Sequence, residues 1–536
     1  MSEAERRGPA RRALIAGGVV AATGAALPLV TRAAGGGGEP SAPVGGASAP
    51  GGGASSPAAG PRRTAAPAAG RRPRTAAPVA SRRPRSDDRP NILLVLTDDQ
   101  PKETDWALGR TADWLGGDGV TFERAHANTP LCAPSRASVM TGRYAHRHGV
   151  LDTRHPYYLD QRTTVQRRLR EAGYRTGLFG KYLNFWRTGD PPPHFDEWLL
   201  QEPVRYVDGH YNDNGTVRNI PGYNTTVIKN RALDFIDASR TDTRPWFAYV
   251  ATRSAHEVNI PEPRYARTRV PEWQGRPSVF ETDKDDKPPF LRAERHTFAE
   301  GRDLRARQLR TLLSVDDAMH DFRAKLRALG QLENTLVLFT SDHGLCWGDH
   351  GWLRKSVPYR PALEVPFRLS WPAGGLGASR SDDRLTGLID IAPTFLDAAG
   401  LPPDPGHDGH SLLDRDNDRR HLLAEWWWNQ QDPKPIHSWR SLIGKTEQYT
   451  EYRRIRFDHA GRPTLGDGKV LFREYYDLRA DPFQLDNRLP TAGTAEEERL
   501  GIPGLAKDLA TAAPDGPGQH PHGTGKRGRP TGPRGG

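Results

Sequence analysis

The stretch Leu131-Cys-Ala-Pro-Ser-Arg-Ala-Ser-Val-Met-Thr-Gly-Arg143 holds one of only two cysteines in a chain of 536 residues. Pro134 and Ser135 fit the opening of a helix, where proline forfeits no hydrogen bond and serine can cap. Such an opening presents unpaired N–H groups and a partial positive charge, which favour an anion. Arg136 adds a fixed cation with fork-like donors. Thr141-Gly142 then reads as the helix stop. The chemistry on offer is a rare thiol set beside a seat for a tetrahedral oxyanion; the plain alternative is a buried structural cysteine next to a surface arginine.

Acids supply a second element. The apolar run Ile92–Leu96 leads into Thr97-Asp98-Asp99, and Leu336–Phe339 leads into Thr340-Ser-Asp342-His343-Gly344. Carboxylates brought close together repel unless a cation lies among them, and oxygen donors favour a hard divalent ion, Ca²⁺ with Mg²⁺ as the alternative. The same acids could instead cap helices after strands.

Elements must bring these segments together. Asn91-Ile-Leu-Leu-Val-Leu96, Thr176-Gly-Leu-Phe179, Trp246-Phe-Ala-Tyr-Val-Ala251 and Thr335-Leu-Val-Leu-Phe-Thr340 are short continuous apolar runs, as expected of strands buried on both faces of a parallel sheet. Helical patterns lie at Val165–Ala172, Ile228–Ile236 and Arg305–Leu329. The alternation predicts an α/β fold, a mostly parallel sheet flanked by helices. In such sheets ligands gather at the carboxyl ends of strands, where both acidic segments fall.

The net charge of +11 belongs to the tails. Residues 1–89 carry fourteen arginines against five acids. Beyond residue 511, four basic residues face Asp515 alone, so the middle is close to neutral. A nucleic-acid-binding fold is therefore not expected. Arg11-Arg12 before the apolar run Ala13–Val30 resembles a Tat export signal, assigned to residues 1–34, and no stable membrane span is expected. Residues 35–89 read as an Ala/Gly/Pro/Arg-rich disordered linker, and disorder is expected again from about residue 512. A secreted or envelope-associated protein follows. Cys132 and Cys346 could form a bridge in an exported chain, or stay separate with Cys346 a free thiol.

The C-x-P-S-R frame followed by T-G-R resembles the signature of the type I sulfatases. Asp98-Asp-Gln100, Gly180-Lys-Tyr-Leu-Asn184, Leu313-Ser-Val-Asp-Asp317, Ser341-Asp-His-Gly344 and Lys355-Ser-Val-Pro-Tyr359 look like the N-acetylglucosamine-6-sulfatase and heparan 6-O-sulfatase subgroup. Glu474-Tyr-Tyr-Asp-Leu478 with Asp481-Pro-Phe-Gln-Leu-Asp-Asn487 resembles that family's small second domain. The resemblance implies an alkaline-phosphatase-like catalytic domain over residues 90–410, a smaller α+β subdomain with an antiparallel sheet over 411–490, and a C-terminal extension over 491–536.

The resemblance also implies roles. Cys132 would become formylglycine through a formylglycine-generating enzyme, and its hydrate would attack a sulfate ester. Asp98, Asp99, Asp342 and His343, with the modified Cys132, would hold the metal, and Asp342 could also take the proton. Arg136 would hold the hydrate, Lys181 and Lys355 would neutralise sulfate oxygens, and His256 would contact the sulfate and protonate the departing sugar oxygen. Two departures stand out. Leu183 occupies a place where many arylsulfatases carry histidine. The P-H-x-P segment reads Ala255-His256-Glu257-Val258, without either proline. Trp426-Trp-Trp428 could stack on sugars or form core; His146 and His148 could line the pocket or serve the loop. The expected substrate is a sulfated saccharide, with substrate loops at Arg187–Asn219 and Pro261–Lys287. An aryl sulfate, phosphate or phosphonate ester hydrolase, or an inactive glycan-binding protein, are the alternatives.

Overall fold

The computed structural model describes residues 89–513 apart from 203–204, 430–435, 459–460 and 462; the expected export signal, the linker and the distal tail lie outside the described residues. The larger sheet is formed by β1 (Asn91–Thr97), β2 (Val120–His126), β3 (Arg175–Gly180), β4 (Glu197–Gln201), β5 (Val207–Asp213), β6 (Thr216–Tyr223), β7 (Trp246–Ala251), β8 (Thr335–Ser341), β9 (Phe367–Ser370) and β10 (Arg380–Gly387). Its order is β10-β2-β9-β8-β1-β7-β3-β4-β5-β6. The central strands β8, β1, β7, β3 and β4 are mutually parallel.

The apolar runs are continuous because both faces are covered. Ile92, Leu94 and Leu96 of β1 join one core, with Phe247, Leu336 and the helix Ile391–Ala398. Leu93 and Val95 join the opposite core, with Ile228, Leu309, Leu312, Met319 and Phe322 from the helices Asn224–Asp237 and Phe298–Ala328. Successive side chains of a strand point to opposite sides, so two buried faces demand apolar residues at every position.

Two expectations need correction. The long helix begins at Phe298 rather than Arg305, because Thr297 and Glu300 form a reciprocal capping box ahead of the apolar pattern. The segment 187–219, expected as a loop, contains β4, β5 and the start of β6. Asn214 and Gly215, both at positive φ (48° and 94°), turn β5 into β6. An Asn-Gly pair is the readable hairpin signal there.

A second, antiparallel sheet contains β11 (Leu422–Trp426), β12 (Ser438–Ile443), β13 (Glu447–Phe457) and β14 (Pro463–Asp477) in that order. Its core joins Trp426, Trp439, Tyr452 and Tyr476 to Leu131, Val357 and Tyr359, which flank the two segments of greatest chemical interest. No helix among the described residues is long and apolar enough to cross a membrane.

His126, at the end of β2, is buried beside Glu364, with Arg360 and Lys102 near by. Burial, helped by those two cations against the pull of Glu364, lowers its pKa to about 4. The unfolded chain therefore binds more protons between pH 4 and an ordinary value near 6.5, so stability is present above that window and is lost as pH falls through it. The expected loss attributable to His126 is on the order of 3 kcal/mol. Urea midpoints at pH 7 and pH 4.5 should converge for His126→Gln relative to the unsubstituted protein; an unchanged gap would remove this residue as the cause.

Candidate active site

Cys132 is the first residue of the helix Cys132–Thr141, entered from an extended Leu131. The helix stops as its sequence suggests, with Gly142 left-handed at φ 64°. Ser135 does not cap it, contrary to expectation: the helix starts three residues earlier, and the Ser135 hydroxyl donates instead to the carbonyl of Asp342. The helix opening is thus fastened to the loop after β8.

The two acidic segments leave adjacent strands at the same end of the sheet. β1 and β8 pair in parallel from Asn91↔Thr335 to Thr97↔Ser341, so Asp98 and Asp342 emerge side by side. The Asp342 N–H donates to the Thr97 carbonyl (3.1 Å), and the Asp99 N–H donates to Asp342 Oδ1 (3.2 Å). None of these acids caps a helix; the next helical turn after Asp99 spans Asp105–Leu108 behind Thr104.

Asp98, Asp99, Cys132 and His343 form a buried group whose potential ligand atoms all lie within 4.8 Å of one another. Cys132 Sγ is 3.3 Å from Asp98 Oδ1, 3.4 Å from His343 Nε2 and 3.4 Å from Lys355 Nζ. His343 Nε2 also lies 3.4 Å from Asp99 Oδ1, and its Nδ1 is 3.0 Å from the Gly344 carbonyl. Asp342 stands at the margin of the group. Its Oδ2 accepts from Arg136 Nε at 2.9 Å, while its Oδ1 is 3.6 Å from His343 Nε2.

Three cations frame the acids. Lys181 Nζ donates to Asp98 Oδ2 (2.5 Å) and Lys355 Nζ to Asp99 Oδ1 (2.6 Å). Arg136 is fully buried, and its Nη2 lies 3.7 Å from Asp98 Oδ2 while Nη1 donates to the Lys181 carbonyl. Burial alone would raise the pKa of both aspartates. Lys181, His256, Arg136 and Lys355 overcome it and hold Asp98 well below the usual carboxylate range. Lys355, His256 and His343 likewise bring Asp99 to about 2. Burial and then Asp98 push the Cys132 thiol up to about 12, against Lys181 and Lys355. At neutral pH the unmodified side chain is therefore a protonated thiol, a poor nucleophile.

His256 is the open side of the cluster. Its side chain is 22% exposed, its Nε2 lies 3.8 Å from Asp99 Oδ2, and its Nδ1 is 2.6 Å from the Glu257 carbonyl. Above Cys132 opens a cleft of about 600 Å³, lined among others by His256, Lys355, Asn184, Arg253, Gln308 and Arg354. Gln308, which sequence reasoning passed over, donates to the carbonyls of both Asp99 and Ala255 and so ties the long helix to the acidic turn. A glutamine in the buried face of that helix, between Leu304 and Leu312, was the available signal.

The remaining candidates have structural partners. His146 is buried against Glu425, and His148 lies 3.1 Å from the Ser138 hydroxyl. Trp426 and Trp427 are core, while Trp428 packs edge-on against Phe457. Cys132 and Cys346 are both free thiols. Asp316, in the Leu313–Asp317 motif, accepts from the N–H and hydroxyl of Thr111 and joins two helices.

Gly180 shows how tightly the lysine is placed. It closes β3 at φ 108°, and a Cβ there would stand 1.9 Å from the Ala251 carbonyl oxygen, which accepts the Lys181 N–H. Gly180→Ala must break that bond and move Lys181. The expected outcome is a loss of more than about 2 kcal/mol in thermal or urea unfolding, with activity falling further than stability. An alanine variant with ordinary turnover would show that the turn tolerates the shift.

Residues 90–401 match the Sulfatase family, and residues 348–498 match the C-terminal region of N-sulphoglucosamine sulphohydrolase. An extracellular sulfatase SULF-1 homolog of Drosophila melanogaster is 32% identical over 63% of the chain, and the matched region spans about a third (32%) of that relative. The N-acetylglucosamine-6-O-sulfatase of Bacteroides thetaiotaomicron is 24% identical over 77% of this chain and 84% of its own length. Among solved structures, a complex with D-glucosamine-2-N,6-O-disulfate, described as its substrate, aligns with a TM-score of 0.68 at 20% identity, over 81% of this chain and all (100%) of the other. The phosphonate monoester hydrolase of Agrobacterium radiobacter aligns at 0.62 and 23% identity, over 79% and 96%. At these identities the structural likenesses establish the fold.

Proposed function

The chain belongs to the sulfatase family, and on that premise we propose that it is a sulfuric ester hydrolase acting on a sulfated saccharide of the N-acetylglucosamine-6-sulfate type. The observation that carries the reading is the seat of Cys132: a helix-opening residue over Asp98, Asp99 and His343, between Lys181 and Lys355, at the carboxyl edge of a parallel sheet. The substrate class is supported by the relatives named for N-acetylglucosamine 6-sulfates and by the departure at Leu183.

In this proposal a formylglycine-generating enzyme converts Cys132 to an aldehyde, whose hydrate places hydroxyls where Sγ now lies. One hydroxyl attacks the sulfur of the ester as the bond to the sugar oxygen breaks. His256, on the open side, protonates the departing oxygen. Lys181 and Lys355 neutralise the sulfate oxygens as charge develops, and Arg136 orients the hydrate and the acids. The second hydroxyl then gives up its proton, the aldehyde C=O reforms and sulfate leaves. Asp342 is the candidate acceptor of the attacking hydroxyl's proton. His256, left neutral by its donation to the sugar oxygen, takes that of the second hydroxyl, and water restores the hydrate.

The donor set fits a hard divalent ion, Ca²⁺ or Mg²⁺: two carboxylates and an imidazole converge, with Asp342 adjacent and an oxygen replacing the thiol of Cys132 after modification. Such an ion supplies Lewis-acid polarisation of the sulfate when bound. Chelation is expected to abolish turnover, and added Ca²⁺ or Mg²⁺ to restore it and raise the melting temperature. By mass action the gain is about 2.7 kcal/mol at a hundredfold excess over Kd. Activity indifferent to exhaustive chelation would overturn the metal assignment.

Aryl sulfate and aryl phosphate assayed in parallel test the reaction class, since a site for one tetrahedral oxyanion accepts another; a large phosphate preference would replace this reading with a phosphate or phosphonate hydrolase. A panel of sulfated monosaccharides then tests the sugar. Export through the Tat-like leader, secreted or to the envelope, is part of the proposal, and relatives named extracellular sulfatases support it.

A further inference from the structure

Lys355 lies in the loop before the short helix Arg360–Leu363, and its amine reaches both Asp99 Oδ1 and Cys132 Sγ. What holds that loop is mostly not the loop itself. Trp352 Nε1 donates to the Lys355 carbonyl (2.9 Å). After that, the successive partners come from the small antiparallel sheet. Trp439 Nε1 on β12 donates to the Ser356 carbonyl (2.9 Å), and Gln448 Nε2 on β13 donates to the Pro358 carbonyl (2.6 Å). The Tyr359 hydroxyl donates to Glu474 on β14 (2.8 Å), a carboxylate that also receives the hydroxyls of Tyr452 and Tyr476. Gln484 extends the same set, donating to Gln448 Oε1 and accepting the Arg360 N–H.

The side chains that hold the loop, Trp352, Trp439, Gln448, Tyr359 and Glu474, are buried, and Ser356 sits at φ +79°, a conformation that a serine keeps only where its surroundings impose it. We infer that Trp439 and Gln448 are positioning residues for Lys355, so that the small sheet sets the height of one cation over the reacting sulfate. The inference rests on the role proposed above for Lys355. It assigns the second sheet a part in the chemistry although neither residue reaches the cleft. A backbone hydrogen bond lost next to Lys355 lets the amine drift, and displacements near 1 Å in such a group lower rates by factors of about ten to a hundred.

The test is a double-mutant cycle on purified, modified full-length protein with an aryl sulfate. Trp439→Phe deletes one N–H donor, Gln448→Met deletes an amide that also donates to Ser441 and accepts from Gln484, and both retain apolar volume. Each is expected to lower kcat about tenfold with KM nearly unchanged. In a Lys355→Ala background, itself about a hundredfold or more slower, the same substitutions are expected to have little further effect, because the group they position is gone. Equal factors in both backgrounds would overturn the inference and leave Trp439 and Gln448 as general packing. A lowered melting temperature with unaltered kcat per folded molecule would do the same. If Trp439→Phe unfolds the protein, the Gln448→Met cycle decides alone. Full activity of Lys355→Ala would instead sink the role proposed for the lysine, a separate failure read directly from the single variant.

Discussion

Cys132→Ala is expected to reduce sulfate-ester turnover by a factor of at least about a thousand while leaving the fold intact. Alanine suits the first turn of a helix, and the deletion removes one buried atom, so the stability change should be near or below about 1 kcal/mol. The activity change is of another order, because the proposed covalent route has lost the atom that makes the bond. Cys132→Ser is the sharper experiment. A serine hydroxyl can attack sulfur once, but its carbon carries no second hydroxyl. The sulfated serine cannot collapse to an aldehyde and must wait for water to attack a hindered sulfate. The expected record is a burst of at most one equivalent of alcohol, followed by a chain heavier by one SO₃ unit. Steady multiple turnover by either variant would refute the covalent mechanism. For the unsubstituted protein, mass spectrometry of the tryptic peptide containing Cys132 should show exchange of H₂S for oxygen; an unmodified thiol in the native host would support an inactive, glycan-binding reading.

Arg136→Met is expected to lose both stability and function. The guanidinium is wholly buried, bonded to Asp342 at 2.9 Å, close to Asp98, and donating to the Lys181 carbonyl. Replacing it with a neutral chain leaves buried carboxylates short of their counter-charge, and breaking a buried pair in this way costs about 3–5 kcal/mol. Turnover should fall by more than a hundredfold, since the same cation aligns the acids and the nucleophile's helix. Arg136→Lys separates the two effects. A lysine restores the charge but offers a point where the site uses a planar fork. Much of the lost stability should therefore return in urea unfolding, with little of the lost kcat. Full rescue of turnover by lysine would mean that charge alone, not fork geometry, is required at this position.

Much of the site was legible before any coordinates. The scarcity of cysteine, the Pro-Ser-Arg frame, and acids following apolar runs singled out Cys132, Asp98, Asp99 and Asp342, the family resemblance added His343, and continuous apolar runs alternating with helical patterns pointed to a doubly covered sheet. These features are local: a helix stop at Gly142 or a strand buried on both faces leaves its mark in a few consecutive residues. Glycine before Lys181 was visible too, but its purpose was not, because the Ala251 carbonyl that forbids a Cβ belongs to a different strand.

What the sequence alone determined, then, is the inventory: which groups can bind an oxyanion or a cation, and which segments form strands and helices able to carry them. Tertiary structure decided the assignments. Ser135 reads as a cap but fastens Asp342. Asp342 reads as a ligand alongside Asp98 and Asp99, yet Arg136 claims one of its oxygens and leaves it at the margin. His146 reads equally as a pocket or a loop residue and is spent on Glu425, and Lys355 owes its loop to donors more than eighty positions further on. The reason is physical. Propensity and periodicity act over a few residues, whereas burial, charge pairing and hydrogen-bond competition depend on what the chain brings back from far away.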